Sequence, residues 1–273
     1  MKACPLCGGE ASGNAPGLLA CQACGLVFRE KRAFAEPAYP PDLEAGIYGP
    51  AKRGLFAAAL DLMERALPGR GRLLDIGCAD GELMKMAAAR GWEAEGVELS
   101  GPLAGRAAAP GFAVHRRPVE EAGLGAGAYD AVAAFEVFSQ MARPAAAAAE
   151  IFRLLKPGGL LYIREFNAAF HLPLYGLELR GFFKPFGASP SIVHDFNFGA
   201  RSLGTLLERA GFREVKIRNS RPTSGDPYRT GGALGGFLTA GLKVLYYTLS
   251  EALYYLSFGR VLAGSSLIAV ARK

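Results

Sequence analysis

The chain is poor in the residue that most often acts as a general base, because its 273 residues include only three histidines. Few groups can therefore remove a proton near neutral pH. The first nine residues, MKACPLCGG, lack the apolar stretch of a secretory signal, so we expect a cytoplasmic protein. Cysteine is also scarce, and four of the five cysteines stand in two C-x-x-C pairs, which fits a reducing compartment.

Acidic residues are outnumbered by basic ones, 25 against 31, so the net charge is +6. This surplus favours an anionic partner only weakly, such as RNA, phospholipid headgroups or a phosphorylated substrate, and a solvated surface explains it equally well. The length and the apolar content of 51% suffice for one α/β domain with a small appendage.

Residues 73–83 read LLDIGCADGEL. This segment has the small residues of a phosphate-binding turn but lacks the G-x-G-x-x-G spacing of dinucleotide-binding folds. Here an apolar strand runs through Asp75, the small residues Gly77, Ala79 and Gly81 follow at alternate positions, and a helix-type run comes next. Small residues let the backbone approach a ligand closely, and a helix start offers free N–H groups. The spacing D-x-G-x-A-x-G resembles motif I of the class I S-adenosylmethionine-dependent methyltransferases.

The resemblance covers the chain from about residue 48 to the C-terminus. It rests on further segments that correspond to strands and helices of the family: 92–100 (WEAEGVELS), 112–114, 129–135 (YDAVAAF), 155–167 (LKPGGLLYIREFN), 198–219 and 266–271. Strands that alternate with helices predict a parallel sheet with helices on both faces. The resemblance implies a Rossmann-like, seven-stranded α/β methyltransferase domain over residues 50–273, preceded by a ribbon (1–30) and a proline-rich linker (31–49).

The resemblance also implies which residues bind S-adenosylmethionine. In the family, the acid at the position of Glu98 takes both ribose hydroxyls, and a carboxylate suits two hydroxyl donors. The predicted cofactor-binding residues are Tyr48, Asp75, Gly77, Cys78, Ala79, Gly81, Glu98, Leu99, Glu120, Phe135 and Glu136. The chain departs from the family at Ala79, which replaces a glycine, and at residues 138–140, where Phe-Ser-Gln replaces a frequent acid–His pair.

Two C-x-x-C knuckles, each followed by glycine, predict a structural zinc site. The predicted ligands are Cys4, Cys7, Cys21 and Cys24. Four soft thiolates suit Zn²⁺ in a closed tetrahedral site, and the alternative is a pair of disulfides. A segment this short has no core of its own, so the metal would supply its folding energy. The ribbon is either a grip on RNA, as in some rRNA guanine methyltransferases, or a lid over the active site; its few basic residues favour the lid.

Aromatic residues are concentrated in the segment 168–199, which follows the fifth strand of the predicted sheet. We interpret this segment as an acceptor cap suited to an apolar or planar acceptor, with a small satellite core as the alternative. The candidate general bases are His194, which stands next to Asp195, then Glu165 at the end of the fifth strand, and His171 in the cap.

A helix predicted over residues 233–260 is apolar over most of its girth, with one narrow polar stripe. Such a helix is buried or lies in lipid. Its length would allow a membrane span, but the last strand must return to the sheet, so both helix ends stay near one domain. Core packing, a homodimer contact, or attachment to the inner face of the membrane through nearby basic residues remain as predictions.

Together these features predict an S-adenosylmethionine-dependent methyltransferase that methylates an oxygen atom of a small molecule or of a glycan- or lipid-linked precursor. One alternative is an RNA base methyltransferase that grips RNA with the zinc ribbon, which requires a continuous basic face from ribbon to crevice. The other is a non-catalytic binding module with the same fold, against which the acids Asp75 and Glu98 argue.

Overall fold

The computed structural model describes residues 2–31, 50–224 and 236–273. The strands are β1 (Lys2–Ala3), β2 (Glu10–Ala15), β3 (Leu18–Cys21), β4 (Val27–Arg29), β5 (Arg72–Ile76), β6 (Glu93–Val97), β7 (Val114–His115), β8 (Tyr129–Phe135), β9 (Leu155–Phe166), β10 (Phe196–Asn197), β11 (Arg213–Asn219) and β12 (Ser266–Arg272). The helices are α1 (Arg53–Ala66), α2 (Glu82–Ala88), α3 (Gly101–Ala108), α4 (Pro144–Leu154), α5 (Ala168–Leu179), α6 (Ala200–Arg209) and α7 (Gly236–Leu256). The predicted position of Tyr48 and the linker from residue 32 to 49 lie outside the described residues.

Seven strands form one mixed sheet in the order β11-β12-β9-β8-β5-β6-β7. The five strands from β9 to β7 are parallel, and β12 lies antiparallel between β9 and β11. The predicted seven-stranded sheet is confirmed, including the return of the last strand to the side of β9.

Helices cover both faces of this sheet, as predicted. Successive side chains of a strand point to opposite faces. Leu74 and Val132 face the core that contains residues of α4 and α6, whereas Leu73 and Ala133 face the core under α1 and α2. Parallel strands with both faces covered read as continuous apolar runs, which is the pattern of residues 129–135.

The N-terminal ribbon is continuous with the rest of the protein. Its four strands form a second sheet with β10, which belongs to the predicted cap segment, and Phe28 of β4 lies opposite Phe196 of β10. The Asn197 side chain adds a hydrogen bond from Nδ2 to the Val27 carbonyl oxygen, at 3.4 Å. Leu26 and Phe28 are buried in the same core cluster as residues of α4 and α6. The ribbon therefore shares a core with the larger domain, and the expectation that metal supplies its folding energy stays a prediction.

The cap segment begins as a helix because Asn167 caps it: its Oδ1 accepts a hydrogen bond from the Ala169 N–H at 3.1 Å. Asn167 also donates through Nδ2 to the carbonyl oxygens of Leu262 and Gly264, at 2.9 and 2.8 Å. One buried side chain thus ties the start of α5 to the connection between α7 and β12.

Helix α7 is oriented with its polar stripe toward the domain. Ser250 is buried, and its carbonyl oxygen accepts from Asn219 Nδ2 at 3.2 Å. The Tyr246 hydroxyl donates to the Ala263 carbonyl oxygen. The apolar residues Leu249 and Leu253 are exposed instead, so the alternative that this face packs in the core of its own chain is wrong. Among the described residues, no helix is long and apolar enough to cross a membrane.

The ribbon contact predicts that Phe196 contributes to the stability of the whole domain. Its side chain is fully buried in the shared core. Phe196→Ala should lower the free energy of unfolding by about 3–5 kcal/mol, because it removes buried apolar area and leaves a cavity. Urea unfolding followed by far-ultraviolet circular dichroism measures the change.

Phe182→Ala is the matched control, because Phe182 is 61% exposed in the same cap segment. It should change the free energy of unfolding by less than about 0.5 kcal/mol. Equal effects of the two substitutions would show that the ribbon and the domain do not share a core.

Candidate active site

The candidate crevice lies at the carboxyl ends of β5 and β8. From the central strand β5 the chain winds outward to β6 and β7, then returns to β8 and β9 on the other side. In open α/β sheets, ligands bind where the winding reverses, outside the carboxyl ends of the strands. By this rule the ligand lies at the turn after β5 and the loop after β8.

Three residues of the turn after β5, Gly77, Ala79 and Gly81, have left-handed backbone conformations. Gly77 has φ +71°, and a Cβ there would lie 2.2 Å from Val137 Cγ1, so only glycine fits. Ala79 has φ +48°, a conformation that costs a residue with a side chain roughly 1–2 kcal/mol. Non-glycine strain of this kind is typical of functional sites.

Glu98 holds this turn in place. The carboxylate Oε2 accepts a hydrogen bond from the Ala79 N–H at 3.0 Å, and Oε1 accepts from the Ser100 N–H at 2.8 Å. The prediction that Glu98 takes the two ribose hydroxyls of the cofactor stays a prediction. Leu99, the next residue, is exposed and offers an apolar surface beside this acceptor.

Glu120 stands in a short 3-10 turn over Val119–Glu121. Its Oε1 lies 3.3 Å from Arg143 Nε, at the start of α4. This ion pair ties the turn after β7 to the start of α4. The prediction that Glu120 contacts the cofactor stays a prediction.

Asp75 is buried near the end of β5, and burial together with the nearby charge of Glu98 raises its pKa to about 8. The neighbouring Cys78 is also buried, which raises its pKa above the ordinary value of 9.0. Cys78 is therefore a protonated thiol and packs against Met84 and Ala107. It acts as a small turn residue and not as a nucleophile.

Three buried charged residues form an ion-paired cluster at the ends of β8 and β9, and only one of them, Glu136, was a predicted site residue. Lys52 Nζ donates to Glu136 Oε2 at 2.8 Å, and the other Glu136 oxygen pairs with Arg164. Burial lowers the pKa of Lys52 to about 7. Glu136 has φ +60°, so its backbone is held in a strained conformation between two cations. A lysine at the start of a helix is normally solvated, and no sequence signal marked Lys52 or Arg164.

Two buried carboxylate oxygens, Asp80 Oδ1 in the turn after β5 and Glu165 Oε2 near the end of β9, have no hydrogen-bond partner within the described part of the chain. Buried polar atoms are nearly always bonded, so these oxygens indicate the place of a donor-bearing ligand. S-Adenosylmethionine carries amino and hydroxyl donors, and the residues present fit it. The predicted residues Asp75, Gly77, Ala79 and Glu98 line the same turn.

Phe135 does not face the crevice with its side chain. Its ring packs against Phe56 of α1 and Tyr162 of β9, with centroids 4.9 and 5.3 Å apart. The ring belongs to the core under α1 because, by the alternation of a strand, Phe135 follows Ala133 onto that face. The prediction that Phe135 contacts the cofactor stays a prediction.

Glu165 is fully buried, and burial raises its pKa to about 7. Its Oε1 accepts a hydrogen bond from the Ser139 N–H at 3.3 Å. Ser139 belongs to the Phe-Ser-Gln segment that replaces the frequent acid–His pair. The loop after β8 therefore contacts the candidate base near the end of β9.

His171 has both ring nitrogens engaged by the main chain. Nε2 lies 3.0 Å from the Ser265 carbonyl oxygen, and Nδ1 accepts from the Ile192 N–H at 3.2 Å. Burial lowers its pKa to about 4. These bonds hold the ring between the end of the α7–β12 connection and the cap, and the prediction that His171 acts as a base stays a prediction.

His194 is held by the ribbon. Arg29 of β4 donates through Nη2 to the Val193 carbonyl oxygen at 3.2 Å, and its N–H donates to the Asp195 carbonyl oxygen at 2.9 Å. The His194 ring lies beside Phe166, with centroids 5.8 Å apart. Burial lowers the pKa of His194 to about 4, so the ring is neutral at pH 7.

The four ribbon cysteines converge on one point. Their Sγ atoms all lie within 4.8 Å of one another, at 3.7 Å for Cys4 and Cys24 and at 3.5 Å for Cys7 and Cys21. The cysteines are free thiols and not disulfides. Tetrahedral Zn–S bonds of about 2.3 Å place sulfur atoms about 3.8 Å apart. The residues present are thus compatible with a zinc ion.

Comparison with known proteins decides the family. The family model described as a methyltransferase domain matches residues 51–217. The chain belongs to this family. It is 30% identical over 161 residues to the ubiquinone biosynthesis O-methyltransferase of Burkholderia pseudomallei (strain 1710b), covering 56% of this chain and 68% of that protein.

Two solved structures share the fold. One is a SAM-dependent methyltransferase from Archaeoglobus fulgidus, with a TM-score of 0.56, 20% identity, and coverage of 84% of this chain and 97% of that one. The other is Haemonchus contortus phosphoethanolamine N-methyltransferase 2 in complex with S-adenosyl-L-methionine, with a TM-score of 0.56, 18% identity, and coverage of 85% and 56%. The protein is an S-adenosylmethionine-dependent methyltransferase, as the sequence predicted.

The burial of Asp75 predicts a trade-off between stability and cofactor binding. Between its ordinary pKa of 3.8 and its folded pKa of about 8, the folded chain keeps a proton that the unfolded chain has lost. The stability from this group is full below about pH 4 and is lost as the pH rises to about 8. Asp75→Asn should therefore raise the free energy of unfolding at neutral pH by about 0.5–2 kcal/mol. It should weaken cofactor binding by about 1–3 kcal/mol in a calorimetric titration.

Asp130→Asn is the control, because it should change the free energy of unfolding in the opposite direction. Burial alone would raise the pKa of Asp130, but hydrogen bonds from Lys156 and from the Arg72 N–H outweigh it and lower the pKa. This substitution should destabilise the chain at neutral pH and leave cofactor binding unchanged, because Asp130 lies at the other end of the sheet. The assignment of Asp75 would be contradicted if Asp75→Asn did not raise the free energy of unfolding, or if both variants lost cofactor binding.

The cysteine geometry predicts about one zinc ion per chain in freshly purified protein. Cys21→Ser should lower the zinc content measured by inductively coupled plasma mass spectrometry, because it removes a ligand. Cys78→Ser should leave the zinc content unchanged, because Cys78 lies outside the cluster. Fresh protein that contains no zinc would refute the site.

Proposed function

We propose that this methyltransferase methylates an oxygen atom of an apolar, hydroxyl-bearing acceptor, either a small molecule or a glycan- or lipid-linked precursor. The observation that carries the proposal is Glu165, a buried carboxyl with a pKa of about 7 and one oxygen without a partner in the described chain. The relatives named ubiquinone biosynthesis O-methyltransferase support oxygen as the methylated atom.

Methyl transfer is an in-line displacement, and bound S-adenosylmethionine supplies an activated methyl group. The protein chiefly aligns the acceptor with that group. Asp75, the turn after β5 and Glu98 would hold the cofactor from one side of the crevice. The loop over residues 138–140, Glu165 and the cap would hold the acceptor from the other side.

A hydroxyl is a poor nucleophile, so a base accelerates its methylation. The best base has a pKa near the working pH. Glu165, at about 7, meets this condition better than His194, at about 4. Glu165 would accept the hydroxyl proton at Oε2, shielded from water, as the methyl group is transferred.

An aromatic cluster at the end of β9 forms an apolar wall around Phe166, the residue after Glu165. The His194 and His171 rings lie 5.8 and 5.4 Å from the Phe166 ring, measured between centroids. Phe170 of α5 packs against Tyr246 of α7 at 4.8 Å. Such a wall favours a planar or apolar acceptor over a charged one.

The basic side chains of the ribbon that the structure describes are paired with carboxylates, which argues against the RNA alternative. Lys2 pairs with Glu30 at 3.2 Å, and Arg29 pairs with Asp195 at 3.6 Å. An RNA-binding face needs basic residues that can neutralise phosphates. These two are already neutralised by carboxylates, so we keep the small or precursor acceptor as the proposal.

The base assignment predicts a loss of turnover with retained cofactor binding. Glu165→Gln preserves the shape but removes the proton acceptor, so kcat should fall by about 10²–10⁴-fold. The affinity for the cofactor should change by less than about twofold. In the unaltered enzyme kcat should rise with pH through about 7, since Glu165 acts when ionised, and this rise should vanish in Glu165→Gln.

His194→Asn is the comparison variant. It should lower kcat less than Glu165→Gln does, because a ring with a pKa of about 4 is the weaker base. If His194→Asn abolishes turnover and Glu165→Gln does not, the roles are reversed.

The acceptor itself is sought by incubation with methyl-labelled cofactor and an extract of the source cells. Label in the organic or small-molecule fraction supports the proposal, and RNase-sensitive label contradicts it.

A further inference from the structure

Helix α7 and the turn after it expose a contiguous apolar surface, here called the α7 apolar face. Its members are Val244, Leu245, Leu249, Leu253, Leu256, Phe258 and Val261. Leu256 is 78% exposed and Phe258 is 92% exposed. Single exposed apolar residues are ordinary, but a contiguous set of this kind marks an interaction surface. We propose that the α7 apolar face docks the enzyme on an anionic lipid bilayer.

The orientation of the helix is fixed by hydrogen bonds on its opposite side. Asn219 Nδ2 donates to the Ser250 carbonyl oxygen at 3.2 Å and to Glu251 Oε1 at 3.1 Å. Asn219 Oδ1 accepts from the Gly264 N–H at 2.9 Å. Turning the apolar face inward would break these bonds, which involve buried groups, so the outward orientation is stable.

The connectivity makes the helix lie along a surface. α7 connects β11 to β12, which are adjacent antiparallel strands of the same sheet, so both helix ends stay at one side of the domain. A helix of 21 residues is about 31 Å long. It offers a flat apolar strip that enters the headgroup boundary without crossing the membrane.

Charge selects an anionic bilayer over a second copy of the chain. The acid of α7, Glu251, is turned toward Asn219. Arg260 is exposed between Phe258 and Val261 of the apolar face, and Lys216 and Arg218 are exposed on β11, the strand that α7 contacts. Two copies joined through this face would bring like charges together, whereas anionic lipid attracts them, at about 1 kcal/mol per basic residue.

Co-flotation of the full chain with vesicles tests the proposal. The chain should float with phosphatidylcholine–phosphatidylglycerol vesicles and much less with pure phosphatidylcholine vesicles, and added salt should weaken the binding. The double variant Leu249→Gln/Leu253→Gln should bind about 10- to 30-fold more weakly, because two half-exposed leucine side chains no longer enter the lipid. Arg260→Gln should weaken binding about fivefold.

The matched control is Leu179→Gln/Phe182→Gln, two exposed apolar residues of the cap segment that lie outside the α7 apolar face. It should bind vesicles within about twofold of the unaltered chain. Circular dichroism and cofactor affinity should be the same in all variants, which separates docking from folding. Vesicle binding is measured without cofactor or acceptor, so it does not depend on the proposed reaction.

Three results would overturn the proposal. One is the absence of co-flotation, and another is binding that ignores the charge of the lipid. The third is a dimer in sedimentation equilibrium that dissociates in Leu249→Gln/Leu253→Gln, which would assign the α7 apolar face to a second copy.

Discussion

The ion pairs of Glu136 with Lys52 and Arg164 are the interaction on which the crevice depends. Each of these charges is buried, and an unpaired buried charge costs several kcal/mol, so the three residues hold one another in place. Lys52 ties the start of α1 to the loop after β8, and Arg164 ties β9 to Ser220 after β11 through a 2.8 Å hydrogen bond. The strained backbone of Glu136 is tolerated because two cations fix its carboxylate.

Strand pairing and hydrogen bonds hold the ribbon and the cap segment together. The main chain of β4 pairs with β10, and Arg29 holds the carbonyl oxygens on either side of His194. The four cysteines therefore act at a distance: a metal bound there would stabilise the strands that position the cap. The shared core and the paired strands fit a structural ribbon that supports the cap segment better than they fit a hinged lid.

The sheet was predictable from the sequence, because alternating strands and helices leave few ways to close an α/β fold. The turn after β5 was predictable too, because its spacing requires small residues where the backbone turns left-handed. The contacts between distant residues were not. No local sequence pattern predicts the contact of Phe28 with Phe196 or that of Lys52 with Glu136. The sequence of α7 predicts a helix that buries its apolar face. Hydrogen bonds from Asn219 of β11 hold the opposite side of the helix against the domain instead.

Proton release on cofactor binding tests the central claim that a cationic ligand binds beside the buried Asp75. S-Adenosylmethionine carries a sulfonium charge, which favours the ionised carboxylate and lowers its pKa from about 8. Calorimetric titrations in buffers of different ionisation enthalpy measure the protons released. The account predicts release of about one proton at pH 7 and almost none above about pH 9. Absence of binding, or the same proton count at both pH values, would contradict it.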